Sequence, residues 1–261
     1  MPHIVRDGRR IHYMVQGTGP VVVLLHAIGL NSTWWSPYLD ALGGSFTVVA
    51  IDMAGHGLSS PVTEPVEIFD HAADVAGVID AVGGPAHLVG VSMGGMVAQA
   101  LALDEPSRVA SISLFSTMAT LPSAGRAQVS ARGTRARQSG LAASAEETLT
   151  RWVNPEDMGS PFAARCTEQI LVCDLDSWAA NWAAISRLDT LSRLGSVRCP
   201  ALICTGSTDQ STPPDAARAI ARAIPGAQLH ILPGFGHMAT FQHPGVFLDL
   251  LRSFMGGAAA P

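Results

Sequence analysis

One short stretch, residues 86–98, constrains the fold of this chain more than any other. It has the pattern of an apolar strand, one sharp turn and a helix, with Ser92 at the turn inside the frame G-x-S-x-G. Because the chain reverses direction within a few atoms, side chains at Gly90 and Gly94 would collide, and glycine avoids the collision. The helix directs free N–H groups and a partial positive charge at the same point. The pattern therefore predicts that Ser92 is a nucleophile.

The composition limits the chemistry available to this serine. All sixteen basic residues are arginine, which excludes Schiff-base formation, attachment of pyridoxal phosphate, a Ser–Lys dyad and a P-loop lysine. The length of 261 residues, 48% of them hydrophobic, suits one large α/β domain with an insertion. A net charge of −5 disfavours nucleic acid as a partner.

The sequence also carries expectations about location. The sequence has no run of about 18 apolar residues, the length that would predict a membrane span. The first residues lack the apolar segment of a signal peptide. The four cysteines lack C-x-x-C spacing and are interpreted as reduced, mostly buried thiols. We therefore expect a cytoplasmic protein that does not bind membranes, with a disordered tail at residues 256–261. The oligomeric state stays open, and a homo-oligomer is compatible with the sequence.

Apolar runs alternate with helical patterns along most of the chain, as in a parallel sheet with helical crossovers. The turn signal Asp7–Gly8 adds a hairpin at the start. Between residues 117 and 196 only helical patterns occur, so we expect an α/β core formed by residues 1–116 and 197–255, with residues 117–196 as a helical lid. The clearest predicted strands are 21–25, 47–51, 110–115, 199–205 and 228–232, and the clearest helices are 67–82, 93–103, 214–223 and 244–255.

The sequence contains two candidate partners for Ser92 in a nucleophilic site. A serine hydroxyl needs a base, which a histidine provides when a carboxylate orients it. Asp209 follows one predicted strand and His237 follows the next, in the chain order Ser, acid, His that accompanies this turn motif. Parallel strands bring both residues to the sheet edge where Ser92 lies. We therefore predict a Ser92–Asp209–His237 triad.

Other titratable residues have plainer interpretations. His26 and His56 lie in glycine-containing loops and are expected to organise them by hydrogen bonds. Asp52 follows a strand but precedes Ser92, which is the wrong order. Asp70 and Asp74 are assigned to a solvated stretch.

An oxyanion hole requires two N–H donors. One is expected from the backbone of Met93, directly after the nucleophile. The other should come from the loop that follows the strand at 21–25, and Ile28 is favoured over Ala27 as the donor. Ala27 is then expected to line the substrate site.

The chain resembles the α/β-hydrolase superfamily over essentially its whole length. The segments that carry the resemblance are HAIGLN (26–31), IDMAGHGLSS (51–60), VGVSMGGM (89–96), TGSTDQSTPP (205–214) and GFGHM (234–238). This resemblance implies the α/β-hydrolase fold, a mostly parallel sheet flanked by helices.

Within that superfamily the chain most resembles the 3-oxoadipate enol-lactonases of aromatic-acid degradation. The supporting segments are HAIGLNSTWWSP (26–37), ARQSGLAASAEETLTRWV (136–153), DSWAANWAAI (176–185) and the loop around Asp209. The chain departs from that family's pattern at Ala27, Trp182 and Val153. The resemblance implies opening of a carboxylate-bearing enol-lactone through an acyl-enzyme, without a metal or cofactor.

An anionic substrate needs a local cation on a protein of negative charge. Between Glu105 and Glu146 the chain has five arginines and no acid. Arg137 is in register with the family's lid arginine, so it is the first candidate for the substrate carboxylate, followed by Arg135 or Arg132. A solvated helix face is the alternative interpretation. Trp152 is expected to line the pocket, with Trp34, Trp178 and Trp182 as further candidates or as lid core.

Several functions remain open on this evidence. The same triad serves a general carboxylesterase, another lactonase, a C–C bond hydrolase or a cofactor-free perhydrolase. A ligand receptor that retains the triad belongs to a different class, and slow or absent turnover with tight binding would distinguish it.

Overall fold

The computed structural model describes residues 1–63 and 65–258. Within them, eight strands form one sheet in the order β1-β2-β4-β3-β5-β6-β7-β8. The strands are β1 (His3–Arg6), β2 (Arg9–Gln16), β3 (Val21–Leu25), β4 (Thr47–Ile51), β5 (Ala86–Val91), β6 (Val109–Phe115), β7 (Ala201–Gly206) and β8 (Gln228–Leu232). The predicted α/β-hydrolase architecture, with a mostly parallel sheet, is confirmed.

The first two strands form the predicted hairpin. Asp7 and Gly8 both have positive φ values, 47° and 76°, as the tight turn requires. β1 and β2 pair antiparallel, and β2 pairs antiparallel with β4. All other neighbours are parallel, and every residue of β3 is buried because helices cover both faces of the sheet.

Helices flank the sheet and close the core. Their bounds are α1 (Ser36–Leu42), α2 (Ile68–Val82), α3 (Met93–Asp104), α4 (Ser123–Trp152), α5 (Pro161–Leu171), α6 (Leu175–Ser186), α7 (Pro214–Ala223), α8 (Ala239–Gln242) and α9 (Pro244–Ala258). α2 begins with a reciprocal capping box between Glu67 and Asp70, which fixes its start within a residue of the prediction. Trp34 and Trp35 lie in a 3₁₀ turn, Ser32–Trp35, that leads into α1.

The insertion at residues 117–196 is helical, as predicted. It contains α4, α5 and α6, and α4 bends at Gly140, where φ is 81°. α4 packs closely along α6, because a Cβ at Gly133 would lie 2.7 Å from the Cα of Ala179. The ends of the insertion are joined where Thr190 N–H donates to Ala119 O over 2.8 Å. The insertion therefore forms one packed layer between β6 and β7.

Two local expectations differ from the structure. Asp74 is not solvated: it is 3% exposed and pairs with Arg9 at 3.0 Å and Arg6 at 3.3 Å. The tail expected from residue 256 instead begins as helix, since α9 continues to Ala258, and residues 259–261 lie outside the described part. None of the helices in the described ranges has the length and hydropathy to cross a bilayer. The four cysteines are free thiols.

Candidate active site

Ser92 occupies the sharp turn between β5 and α3. Its backbone φ is 54°, a value that residues other than glycine rarely adopt. A Cβ at Gly90 would clash with the carbonyl oxygen of Gly94, and a Cβ at Gly94 would clash with the backbone of Leu25. Thr117 Oγ1 donates to Ser92 O over 2.7 Å. The two glycines thus permit the turn, and neighbouring elements hold it.

Asp209 and His237 form a buried hydrogen-bonded pair. His237 Nδ1 lies 2.8 Å from Asp209 Oδ2 and 3.0 Å from Oδ1, with both side chains 1% exposed or less. The carboxylate also accepts N–H bonds from Ser211 at 2.9 Å and Thr212 at 2.8 Å. Because Nδ1 faces the carboxylate, Nε2 is the ring nitrogen left for another group.

The surroundings of Asp209 favour its charged form. Burial alone would raise the pKa of this carboxyl, but the nearby His237 ring and the hydrogen bonds from His237 and Thr212 hold the pKa below its usual range. Sequence reasoning missed Ser211 and Thr212. The available signal was an aspartate followed at two and three positions by hydroxyl residues, which is typical of a turn closed by the aspartate side chain.

The three predicted catalytic side chains lie at one edge of the sheet. Ser92 follows β5, Asp209 follows β7 and His237 follows β8, and these strands run parallel. Ser92 is 7% exposed and His237 is 1% exposed, so solvent has little access to this edge. The topology therefore brings the serine to the same buried edge as the Asp–His pair.

The loop after β3 forms a turn beside Ser92. Leu30 N–H donates to Ala27 O over 3.1 Å, and Gly29 has a φ of 76°, as a type II turn requires at its third residue. Ala27 and Ile28 are buried within this turn. Gly94 N–H donates to His26 O over 3.1 Å, which ties the loop to the start of α3. The N–H of Met93, the first residue of α3, has no partner within its own helix.

His26 organises this loop, as expected. Its Nδ1 lies 2.8 Å from Ala27 O, and Met53 N–H donates to Nε2 over 3.1 Å, a network that requires the proton on Nδ1. Burial lowers the pKa of His26 to about 4, so the ring is neutral at pH 7. His56 stacks edge-on against it at 4.9 Å.

Two tryptophans of the insertion reach the site. The Trp152 ring centroid lies 6.5 Å from that of His237, and Met238 N–H donates to Trp152 O over 3.1 Å. Trp178 lies against the loop after β3, because a Cβ at Gly29 would come 2.6 Å from its ring. Both tryptophans are 2% exposed. Trp152 therefore lies beside His237, and Trp178 lies against the loop that carries Ile28.

The two lid arginines favoured by the sequence lie in ion pairs at the surface. Arg137 Nε donates to Asp176 over 3.1 Å, with the arginine side chain 43% exposed. Arg135 pairs with Glu147 at 2.8 Å. Arg132 differs from both, because its guanidinium carbon lies 4.6 Å from the ring centroid of Trp182.

A cavity of about 810 Å³ lies beyond the loop after β3, away from the three candidate catalytic residues. Its walls include a second Asp–His pair, in which His12 Nδ1 lies 2.8 Å from Asp52 Oδ2. Asp52 also accepts N–H bonds from Ser32 at 2.6 Å and Leu58 at 2.9 Å, so its oxygens are occupied in holding loops. Across residues 1–63 and 65–258, no cluster of His, Cys, Asp or Glu could hold a metal ion.

The fold and this site define a class of protein. The family model described as the alpha/beta hydrolase fold matches residues 20–244. The chain belongs to the α/β-hydrolase family.

Individual relatives are similar over nearly their full length. A pimeloyl-[acyl-carrier protein] methyl ester esterase from Chromobacterium violaceum is 32% identical, with 92% of this chain and 95% of the relative covered. The 3-oxoadipate enol-lactonase 1 of Acinetobacter baylyi is 27% identical, with coverages of 96% and 94%. The crystal structure of the enol-lactonase from Burkholderia xenovorans LB400 superposes with a TM-score of 0.92 at 28% identity, covering 98% of this chain and 100% of that one.

Proposed function

We propose that this α/β hydrolase is a serine hydrolase that opens a carboxylate-bearing enol-lactone of the 3-oxoadipate type. The observation that carries the mechanism is the buried Asp209–His237 pair, at 2.8 Å, on the same sheet edge as a serine with a φ of 54°. This is the arrangement expected of an activated nucleophile with its base and orienting acid.

In this mechanism Ser92 Oγ attacks the ring carbonyl and His237 Nε2 accepts its proton. Asp209 holds the Nδ1 proton and stabilises the imidazolium that forms. The backbone N–H groups of Met93 and Ile28 receive the developing oxyanion. The tetrahedral intermediate then collapses, the ring C–O bond breaks and His237 returns the proton to the departing enolate, a good leaving group that needs little acid catalysis. His237 then activates water to hydrolyse the acyl-enzyme.

The insertion acts as the lid of this site. Ser92, His237 and the tryptophans that cover them are at most 7% exposed. A substrate therefore reaches Ser92 only after the insertion moves, and closure behind it excludes bulk water from the acyl-enzyme until deacylation.

The substrate assignment rests on the lid segments that resemble enol-lactonases and on the similarity to two proteins of that description. A carboxylesterase is the second candidate, favoured by the 32% identity to a methyl ester esterase. Both candidates use the same triad and differ only in the group that leaves.

A substrate panel distinguishes them. The purified protein is assayed with an enol-lactone bearing a carboxylate, the matching saturated lactone, the matching methyl ester and a vinylogous diketone. We expect the highest kcat/KM for the enol-lactone. A higher kcat/KM for the methyl ester would contradict the lactonase assignment in favour of an esterase, and one for the diketone would indicate C–C bond hydrolysis.

A further inference from the structure

Arg132 lies on α4 with its guanidinium against an aromatic ring. Its guanidinium stacks on the Trp182 ring at 4.6 Å, which joins α4 to α6. In the described part of the chain its side chain makes no hydrogen bond and no ion pair. A guanidinium presents five N–H donors, and none of those of Arg132 has a partner within the described residues. This side chain therefore lacks an acceptor.

The indole N–H groups of two neighbouring tryptophans also lack an acceptor among the described residues. Trp178 and Trp182 stack edge-to-face at 5.8 Å, and each Nε1 is buried with no acceptor among residues 1–63 and 65–258. Buried indole N–H groups ordinarily find a partner. Two indole N–H groups of α6 and the guanidinium of Arg132 on α4 thus lack a protein acceptor among the described residues.

These donors lie over the candidate active site. Trp178 packs against Gly29 in the loop that carries the proposed oxyanion donor Ile28. At the other end of the same layer, Trp152 lies 6.5 Å from His237. Trp182 is one helical turn beyond Trp178 on the same face of α6. Arg132 is therefore linked through Trp182 and Trp178 to the loop that carries Ile28.

The local charge is positive as well. Arg135 and Arg151 lie near Arg132, and the one carboxylate that acts on this group, Glu147, already pairs with both of them at 2.8 and 3.0 Å. Burial, Arg151 and Arg135 lower the pKa of Arg132 to about 10 against the opposing effect of Glu147. The guanidinium still carries its charge at neutral pH.

We propose that Arg132 and the indole N–H of Trp182 form the subsite that binds the carboxylate of the substrate. The inference rests on the proposed function and makes it more specific, because it assigns the anion to the partly buried Arg132 and the buried Trp182 N–H rather than to Arg137. A carboxylate accepts two parallel N–H bonds from a guanidinium and has lone pairs left for the indole. A small ester or lactone with a second, anionic carboxyl group is the ligand that fits.

The first test compares two esters with the same leaving group. These are 4-nitrophenyl acetate, which is neutral, and the half-ester 4-nitrophenyl hydrogen glutarate, which is anionic at pH 7.5. In Arg132→Met, which keeps an unbranched stem but removes the charge and the N–H donors, we expect the ratio of kcat/KM for the half-ester to kcat/KM for the acetate to fall about 10- to 100-fold. Arg132→Lys, which keeps the charge, should restore part of this loss. An unchanged ratio in Arg132→Met would overturn the inference.

Two control variants separate recognition from packing. Arg165 stacks on Trp34 at 3.9 Å in the same way but is exposed, so Arg165→Met should leave the ratio unchanged. Trp182→Phe keeps the ring and removes the N–H, and we expect it to lower the ratio about threefold to tenfold. If Arg137→Met lowers the ratio and Arg132→Met does not, the subsite lies at Arg137 and the inference is wrong.

A binding measurement separates this inference from the proposed function. Glutarate is titrated into wild type and into Arg132→Met while tryptophan fluorescence is followed, since two indoles border the subsite. We expect the Kd to rise at least about tenfold in the variant. If the wild type hydrolyses neither ester but this difference in Kd remains, the hydrolase mechanism fails and the anion subsite stands. Equal Kd values would overturn the subsite even in an active enzyme.

Discussion

His237 Nδ1 lies 2.8 Å from Asp209 Oδ2, and Thr212 donates to the same carboxylate with both its N–H and its hydroxyl, each at 2.8 Å. The hydrogen bonds from Thr212 therefore hold the carboxylate in the position in which it orients the histidine. Most of its lone pairs accept hydrogen bonds. This relationship leaves the imidazole one free nitrogen, Nε2. The chemistry proposed for the site depends on that nitrogen and on Ser92.

Ser92→Ala removes the nucleophile, and we expect kcat for 4-nitrophenyl acetate to fall at least about 10⁴-fold. The fold should survive, because alanine is smaller and the hydrogen bonds of Ser92 to Phe115 and Thr117 are made by its backbone, not by its hydroxyl. Steady-state kinetics give the rate, and circular dichroism with thermal unfolding checks the fold. Activity retained by a folded Ser92→Ala protein would contradict the triad.

Asp209→Asn tests the orientation of the histidine. An amide nitrogen facing Nδ1 favours the wrong tautomer of His237, which then lacks a basic Nε2, so kcat should fall about 10³- to 10⁴-fold. Thr212→Val removes one hydrogen bond to the carboxylate and should lower kcat far less, by about tenfold or under. Both variants are measured with the same neutral ester. Equal losses in the two variants would argue against an orienting role for Asp209.

The elements that build the sheet edge could be predicted because their signals are local. An apolar run buries a strand, and Gly90 and Gly94 mark a turn that no larger residue permits. The candidate catalytic residues follow from such signals and from chain order. The hydrogen bonds that support Asp209 also had a local signal, in the hydroxyl residues that follow it.

The charged partners could not be predicted in the same way, because they depend on packing between distant segments. Asp74 has the spacing of a solvated helix face, yet it is buried under arginines 65 and 68 residues away. Arg137 meets Asp176 across 39 residues because of how α4 lies against α6. α4 also bends at Gly140, and no periodicity in the sequence specifies the angle of that bend.

Gly29→Ala should damage both stability and catalysis. Its φ of 76° strains any L-residue, and the added Cβ would lie 2.6 Å from the Trp178 ring. We expect the free energy of unfolding to fall by about 2–3 kcal/mol. We also expect kcat to fall about 10- to 100-fold, because the turn that presents the Ile28 N–H must shift. Urea denaturation and ester hydrolysis measure the two effects.

Gly8→Ala is the matched control for that variant. Gly8 has the same φ of 76°, but no atom lies within 4 Å of the added Cβ. We expect only the backbone cost, about 1 kcal/mol, with kcat unaffected because the hairpin turn is remote from Ser92. If Gly8→Ala and Gly29→Ala behave alike, contact with Trp178 does not hold the loop.

The neutral state of His26 makes stability depend on pH. The pKa of His26 is about 4 in the folded chain and near 6.5 when the chain unfolds. Below pH 6.5 His26 becomes protonated in the unfolded chain, whereas in the folded chain it stays neutral down to about pH 4. The free energy of unfolding should therefore fall as the pH is lowered through this window, by about 3 kcal/mol from this group.

His26→Gln tests that assignment, because glutamine cannot titrate. Burial also lowers the pKa values of His56 and His71, so both proteins should lose stability as the pH falls. The variant should be less stable than wild type at pH 7.5, where it lacks the intact hydrogen bonds of the ring. The free energy of unfolding of the variant should depend less steeply on pH, because unfolding takes up about one proton fewer. The difference in stability between wild type and variant should therefore narrow toward pH 4.5. Urea denaturation at four pH values between 7.5 and 4.5 measures both slopes, and parallel curves would show that His26 does not titrate in this window.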